Sequence, residues 1–155
     1  MPSIRDRIAQ FIQEQGHRVE VASVEGTSEL SEIVFRTRGQ TFSLAISELE
    51  PERYSLSTAY EVPEEARDPA HVRDSLRDFE SDDPGTRFTL AQDDTIFIVT
   101  AECRTAGVDA LLEHFWDFVG QLRVSGTAAV ERMLDRTQSK AAADKFIRQF
   151  IKGTR

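Results

Sequence analysis

Residues 30–48 read LSEIVFRTRGQTFSLAISE, and this stretch decides the fold. On both sides of Gly39, apolar and polar residues alternate with the period of two that is typical of β-strands. In the second run, Phe42, Leu44 and Ile46 fall on one side, and serine or alanine falls on the other. Gly39 has the backbone freedom that a tight turn requires. The stretch therefore predicts a β-hairpin with strands at 30–38 and 41–48.

Further strands are predicted on both sides of this hairpin. One alternating run precedes it at 18–24, and another follows it at 54–61. Two more, at 87–91 and 95–102, are separated by an acidic turn at Asp93-Asp94. Residues 96–99 are apolar on both faces, which is typical of a central strand or of one whose second face is covered.

Helical spacing of apolar residues predicts the remaining elements. Ser3 is a good N-cap for a first helix that Gly16 ends, and Asp68-Pro69 is a typical start for a second. A long helical pattern runs over 106–134, with Ser125-Gly126-Thr127 as a candidate break, and 139–152 looks like a separate helix. Antiparallel strands flanked by helices indicate an α+β fold with a sheet of five or six strands.

Composition and charge limit the classes of protein. The 155 residues carry a net charge of −8, one cysteine and no apolar run long enough to span a membrane. The polar N-terminus lacks a secretory segment, so we expect a cytoplasmic protein. Residues 136–155 carry +5, which leaves −13 on residues 1–135 and argues against nucleic-acid binding by the body. We therefore predict an α+β domain over 1–135 and a basic amphipathic helical extension over 136–155.

Motifs of catalysis, cofactor binding and metal binding are missing from the sequence. Cys103 stands alone, and His17, His71 and His114 are too far apart for the i, i+4 pairing that metal sites on helices use. The chain has no phosphate-binding loop, dinucleotide fingerprint or nucleophile elbow. We therefore expect no enzyme activity, no cofactor and no metal.

Six residues are candidates for contact with a partner. Trp116 and Phe97 are large aromatics of the kind found at binding hot spots, although core burial or a homodimer interface also explains the strand around Phe97. The other four belong to the basic amphipathic helix of the extension: Lys145, Phe146, Arg148 and Phe150. Such a helix can fold back on its own acidic body, dock on a dimer mate or another protein, or bind an anionic membrane or nucleic acid.

The order of elements resembles the YbjN family, whose fold is similar to that of type III secretion chaperones. The resemblance covers residues 3–135 and rests on patterns: the opening helix through Ile4, Ile8 and Phe11, the hairpin over 33–46, the helix over 72–79, the hairpin over 87–99 and the closing helix over 108–122. It implies a non-enzymatic protein that binds other proteins, often as a homodimer. The extension after Arg136 is a departure from the family pattern.

Three functions follow as hypotheses, and one of them, a nucleic-acid regulator that works through the basic extension, is disfavoured by the charge of −13 on residues 1–135. The other two are the main candidates. The first is a chaperone-like or regulatory adaptor that binds a polypeptide partner or client as a homodimer. The second is a small-molecule-binding protein with a pocket between the sheet and the long helix, lined by Tyr54, Tyr60, Arg87 and His114.

Overall fold

The structure, a computed structural model, describes the backbone of residues 3–23 and 30–153 and the side chains of residues 3–22 and 30–149. Its six strands are β1 (Val19–Ser23), β2 (Leu30–Thr37), β3 (Gln40–Ser47), β4 (Arg53–Glu61), β5 (Thr86–Ala91) and β6 (Ile96–Arg104). They form one antiparallel sheet in the order β1-β2-β3-β4-β6-β5. The predicted α+β class and the strand count are confirmed.

The hairpin predicted from residues 30–48 is present with a two-residue turn. Thr37 lies opposite Gln40, and Arg38 and Gly39 between them both have positive φ, 51° and 76°. Two positive φ values give the turn a twist that matches the right-handed twist of the flanking strands. The turn therefore fixes the backbone of Arg38 at the end of the hairpin, beside Gly39.

All helices pack against the same face of the sheet. The buried residues of the strands alternate with exposed ones, as in β2, where Ile33 and Phe35 are almost fully buried. The helices are α1 (Ile4–Glu14), α2 (Pro69–Asp82), α3 (Val108–Glu113) and α4 (Phe115–Gly153), with a short 3-10 turn at Glu64–Ala66. Their buried side chains join those of the strands in one core.

Helices α1 and α2 begin where the sequence predicts, but the two predicted N-cap residues differ in whether the side chain makes a capping hydrogen bond. The backbone N–H of Asp6 donates to the Ser3 hydroxyl at 3.1 Å, and Glu48 accepts from the N–H groups of Ile4 and Arg5. Asp68 occupies the N-cap of α2 but makes no capping hydrogen bond with its side chain. A carboxylate of the β3–β4 turn therefore helps to fix α1 on the sheet.

The long C-terminal helical region is interrupted at a different place from the one predicted. Helix α3 ends at His114, whose backbone leaves the helical region at φ −108° and ψ 12°. From Phe115 onward, α4 continues through Ser125-Gly126-Thr127 and through residues 139–152 without a break. The bend at His114 allows α3 to pack on α1 while α4 packs on α2 and the sheet.

Gly126 is retained inside α4 because of what lies beneath it. A Cβ atom at this position would lie 2.0 Å from Cε2 of the Tyr60 ring, which is an impossible contact. The ring cannot easily move, because it stacks on Phe97 at 5.5 Å and its hydroxyl donates to the Arg123 carbonyl at 3.2 Å. Close packing on Tyr60 therefore offsets the low helix propensity of this glycine.

Three ion pairs connect α4 to the antiparallel α2. Arg132 donates from two nitrogens to Asp82, and Arg136 pairs with Asp78. Lys140 then reaches Asp68, at the start of α2, at 3.5 Å. Residues 135 and 136 both lie within α4, and the ion pairs of α4 with α2 continue into the predicted extension as far as Lys140.

We expect Gly126→Ala to lower the free energy of unfolding by about 1–3 kcal/mol, the usual cost of overpacking a core. The matched control is Gly120→Ala on the same helix, where an added Cβ meets no atom within 4 Å. That substitution should raise stability by about 0.5–1 kcal/mol through helix propensity. Urea denaturation of both variants measures the two effects, and equal midpoints for the two variants would refute the role given to Tyr60.

Candidate partner-binding surfaces

The C-terminal end of α4, residues 141–153, is called the arm. All of its side chains from Ala141 to Gln149 are exposed. Phe146 and Ile147 are the largest apolar ones, with 68% and 53% of their surface accessible. The side chain of Phe150, the next aromatic along the helix, lies outside the described residues. Adjacent exposed apolar side chains of this size on one helix are typical of a docking surface.

The arm is also basic. Lys145 and Arg148 flank Phe146 and Ile147, and neither forms an ion pair with any residue that the structure describes. Among the basic side chains of the extension that the structure describes, Arg136 and Lys140 pair with the acidic body, whereas Lys145 and Arg148 do not. From Ala141 to Gln149, the helix has no contact with the body that would bury its side chains.

Trp116 lies at the edge of an aromatic cluster at the start of α4. Its ring is oriented edge-to-face with the rings of Phe115 and Phe35, with 4.9 Å and 6.3 Å between the ring centres. The centre of the Phe11 ring lies 6.4 Å away. His17 packs on its outer side at 4.9 Å. The indole is half-buried, so the cluster holds it in place while part of the ring stays accessible.

Phe97 is not available to a partner, which corrects the prediction for this residue. Its side chain is fully buried between Tyr60 and Phe88. The apolar residues on the opposite face of β6 are Ile96 and Ile98, which are half-buried on the side of the sheet away from the helices. The apolar pattern of this strand thus arises because β6 lies between β4 and β5, with its inner face in the core.

The four residues proposed for a small-molecule pocket do not come together. Tyr54 is buried and donates to the Pro51 carbonyl at 2.6 Å, and Tyr60 lies under Gly126. His114 is exposed beside Asp117, and Arg87 is exposed on β5. Core side chains fill the space between the sheet and α4 at Tyr60, so these four residues do not line a common pocket.

A cavity of about 600 Å³ does lie between α4 and the sheet, at the ends of β5 and β6, but none of the four proposed residues lines it. Ala101, Cys103, Phe118, Leu122 and Val124 supply its apolar walls. Burial raises the pKa of the Cys103 thiol to about 11, and the charge of Glu102 adds to the effect. The thiol is therefore protonated at neutral pH and is a poor nucleophile.

Neither a metal site nor a membrane-spanning helix is found among the described residues. Across residues 3–23 and 30–153, no three His, Cys, Asp or Glu side chains are grouped so that they could hold a metal ion. Within the same ranges, no helix combines the length and the apolar character that crossing a bilayer requires.

Comparison with known proteins gives matches to solved structures only. No family model matches the chain, and no curated protein matches it in sequence. An uncharacterized protein from Methanothermobacter thermautotrophicus superposes with a TM-score of 0.60 at 13% identity, over 86% of this chain and 99% of that one. YbjN from E. coli, a proposed transcription regulator, superposes with a TM-score of 0.50 at 18% identity, over 83% of this chain and 89% of that one. The chain has a YbjN-like fold.

We expect Cys103 to resist alkylation in the folded protein, because burial and the raised pKa both keep the thiolate scarce. Iodoacetamide at pH 8, followed by mass spectrometry, should label it slowly in the native state and completely in guanidinium chloride. Equally fast labelling in both states would show that the thiol is accessible and ionised. The native rate should rise as the pH is increased toward 11.

Proposed function

We propose that this protein is a non-enzymatic protein-binding module, of the chaperone-like or regulatory-adaptor type, that docks on an acidic partner through its arm. The observation that carries the proposal is the exposure of Phe146 and Ile147 among basic residues, beyond the last contact of α4 with the body. The YbjN-like fold supports it, and so does the regulatory role proposed for YbjN itself.

The energetics of the arm fit this role. Burying a large apolar side chain contributes about 1.5–3 kcal/mol, so Phe146 and Ile147 together can support a specific contact. Lys145 and Arg148 would steer the arm toward carboxylates and raise the association rate. Since the arm continues an existing helix, it avoids the cost of helix nucleation on binding.

The test of docking through the arm replaces the two large exposed apolar residues of the arm. Phe146→Ser/Ile147→Ser should leave stability unchanged, because both side chains are exposed, and should weaken capture of acidic proteins at least tenfold. The measurement is affinity capture from a lysate of the source organism at physiological salt, with quantitative mass spectrometry. Leu49→Ser is the matched control, because Leu49 is 72% exposed in the β3–β4 turn, away from the arm.

The set of proteins captured decides the outcome. Loss of the same acidic proteins from the arm variant alone would support the proposal. Equal capture by the wild type and the arm variant would overturn it. Retention of anionic vesicles instead of protein would replace it with a membrane role for the basic helix.

A second copy of the chain is a specific candidate for the acidic partner, because residues 1–135 carry −13 and the extension carries +5. We therefore expect sedimentation velocity to show a homodimer that dissociates as salt is raised, since screening weakens contacts between exposed charges. The arm variant should sediment as a monomer under all conditions. A wild-type monomer at the highest concentration tested would rule out the self-association.

A further inference from the structure

A cleft opens beside Trp116, between the start of α4 and the β2–β3 turn. Its volume is about 510 Å³, and its lining residues are His17, Thr37, Arg38, Trp116, Val119, Gly120 and Arg123. Two arginines and a histidine line it, and none of its lining residues is acidic. On a protein with 27 Asp and Glu residues and a net charge of −8, such a local surface favours an anionic ligand.

One of the two arginines is held in a fixed position. Arg123 donates to the Thr37 carbonyl at 2.8 Å and to the Gln40 side chain at 3.2 Å, and its guanidinium lies 5.3 Å from the centre of the Phe42 ring. Gln40 is itself fixed by a hydrogen bond to Thr58 at 2.9 Å. The guanidinium is therefore ordered before any ligand arrives, which reduces the entropy that binding costs.

The second arginine has no ion-pair partner among the residues that the structure describes. This residue, Arg38, is exposed on its two-residue turn. Because its backbone is fixed by the turn, the side chain reaches the cleft from a defined point. Arg38 and Arg123 thus offer two guanidinium groups to carboxylates on one ligand.

The cleft continues along α4 into a second cavity. This one has a volume of about 520 Å³, shares Arg38, Gly120 and Arg123 with the first, and extends past Val124 to Ala128 and Glu131. Trp116 and Ala128 are separated by twelve residues of helix, or about 18 Å. That length suits about five or six residues of an extended chain at roughly 3.3 Å each. The two cavities together are called the α4 groove.

We propose that the α4 groove binds an acidic segment of a partner polypeptide in extended conformation, with carboxylates on Arg38 and Arg123 and an apolar side chain against Trp116. The length of the groove favours a polymer over a small anion. The exposed Val124 gives the segment a second apolar contact. Glu131, the only acidic residue among those lining the two cavities, lies at the far end of the groove, so the carboxylates of the segment are expected at Arg38 and Arg123 and not beside Glu131.

The proposal rests on the proposed protein-binding function, but it concerns a different surface from the arm. The arm begins after Lys140, and the α4 groove ends at Glu131. Each surface can therefore be altered without the other, so the failure of docking through the arm and the failure of binding in the groove are distinguishable.

Trp116 is the only tryptophan of the chain, so its emission reports on the groove directly. The probe is a six-residue peptide of four glutamates and two leucines, blocked at both ends and added to the full-length protein. We expect a saturable change in emission, and an affinity that falls at least fivefold when salt is raised from 50 to 300 mM, by screening. The same peptide with lysines in place of glutamates should produce no change.

Substitution of Arg38 tests the anion contact. Arg38→Asn suits the positive φ of this position, and it should lower affinity for the peptide about tenfold without loss of stability. The matched control is Arg87→Asn, which removes the same charge from the other side of the sheet and should bind like the wild type. The arm variant Phe146→Ser/Ile147→Ser should also bind the peptide like the wild type.

Four other results would overturn the proposal. The first is no change in Trp116 emission with the glutamate peptide, and the second is an equal loss of affinity for that peptide in Arg38→Asn and Arg87→Asn. The third is a stronger response to free glutamate or inorganic phosphate than to the peptide. The fourth is a stronger response to a short single-stranded DNA than to the peptide. A change of emission on dilution without peptide would also overturn it, because it would show that a second copy covers the groove.

Discussion

The contact between Gly126 and the Tyr60 ring sets the distance between α4 and the sheet, and the rest of the molecule depends on it. Tyr60 is supported from below by Phe97 and held at its hydroxyl by the Arg123 carbonyl, so the ring is a fixed platform. On both sides of Gly126, Leu122, Ala129 and Met133 are buried in the core. Lifting the helix by the thickness of one methyl group would separate those side chains from their neighbours, and dispersion attraction is lost over gaps of less than an ångström.

Packing sets the distance between α4 and the sheet. Ion pairs then determine how far along its length α4 stays in contact with the rest of the domain. The three pairs from Arg132, Arg136 and Lys140 to α2 are exposed, so each contributes little to stability. Their alignment nevertheless favours one antiparallel register of the two helices. Because α2 begins at Pro69, the ladder of pairs ends at Lys140, and the following residues of α4 have no helix beside them. The exposure of Phe146 is therefore a consequence of the different lengths of two paired helices.

The sequence predicts elements that local patterns specify, and it misses what depends on distant neighbours. The strands follow from a period of two that leaves little freedom in which face is buried. By contrast, Gly126 looks like a helix break, since the residue that justifies a glycine there is Tyr60, 66 positions away. Phe97 has the appearance of an interface residue until the strand order places it inside the core. Arg38, His17 and Arg123 meet in one cleft although no spacing rule connects them, so the α4 groove could not have been found from the sequence.

The two candidate surfaces lie on the same helix, and the far end of the α4 groove at Ala128 faces the same way as Phe146 of the arm. Ala128 and Phe146 are 18 residues apart, which is about five turns at 3.6 residues per turn, so they point in nearly the same direction. The separation along α4 is about 27 Å at 1.5 Å per residue. A partner that reached both surfaces would gain from the second contact at a high effective concentration, without any change in either site. Since both surfaces are basic, such a partner would need two acidic regions at this spacing. That requirement would distinguish it from proteins that are merely acidic overall, since long-range attraction is screened within about 8 Å at physiological salt.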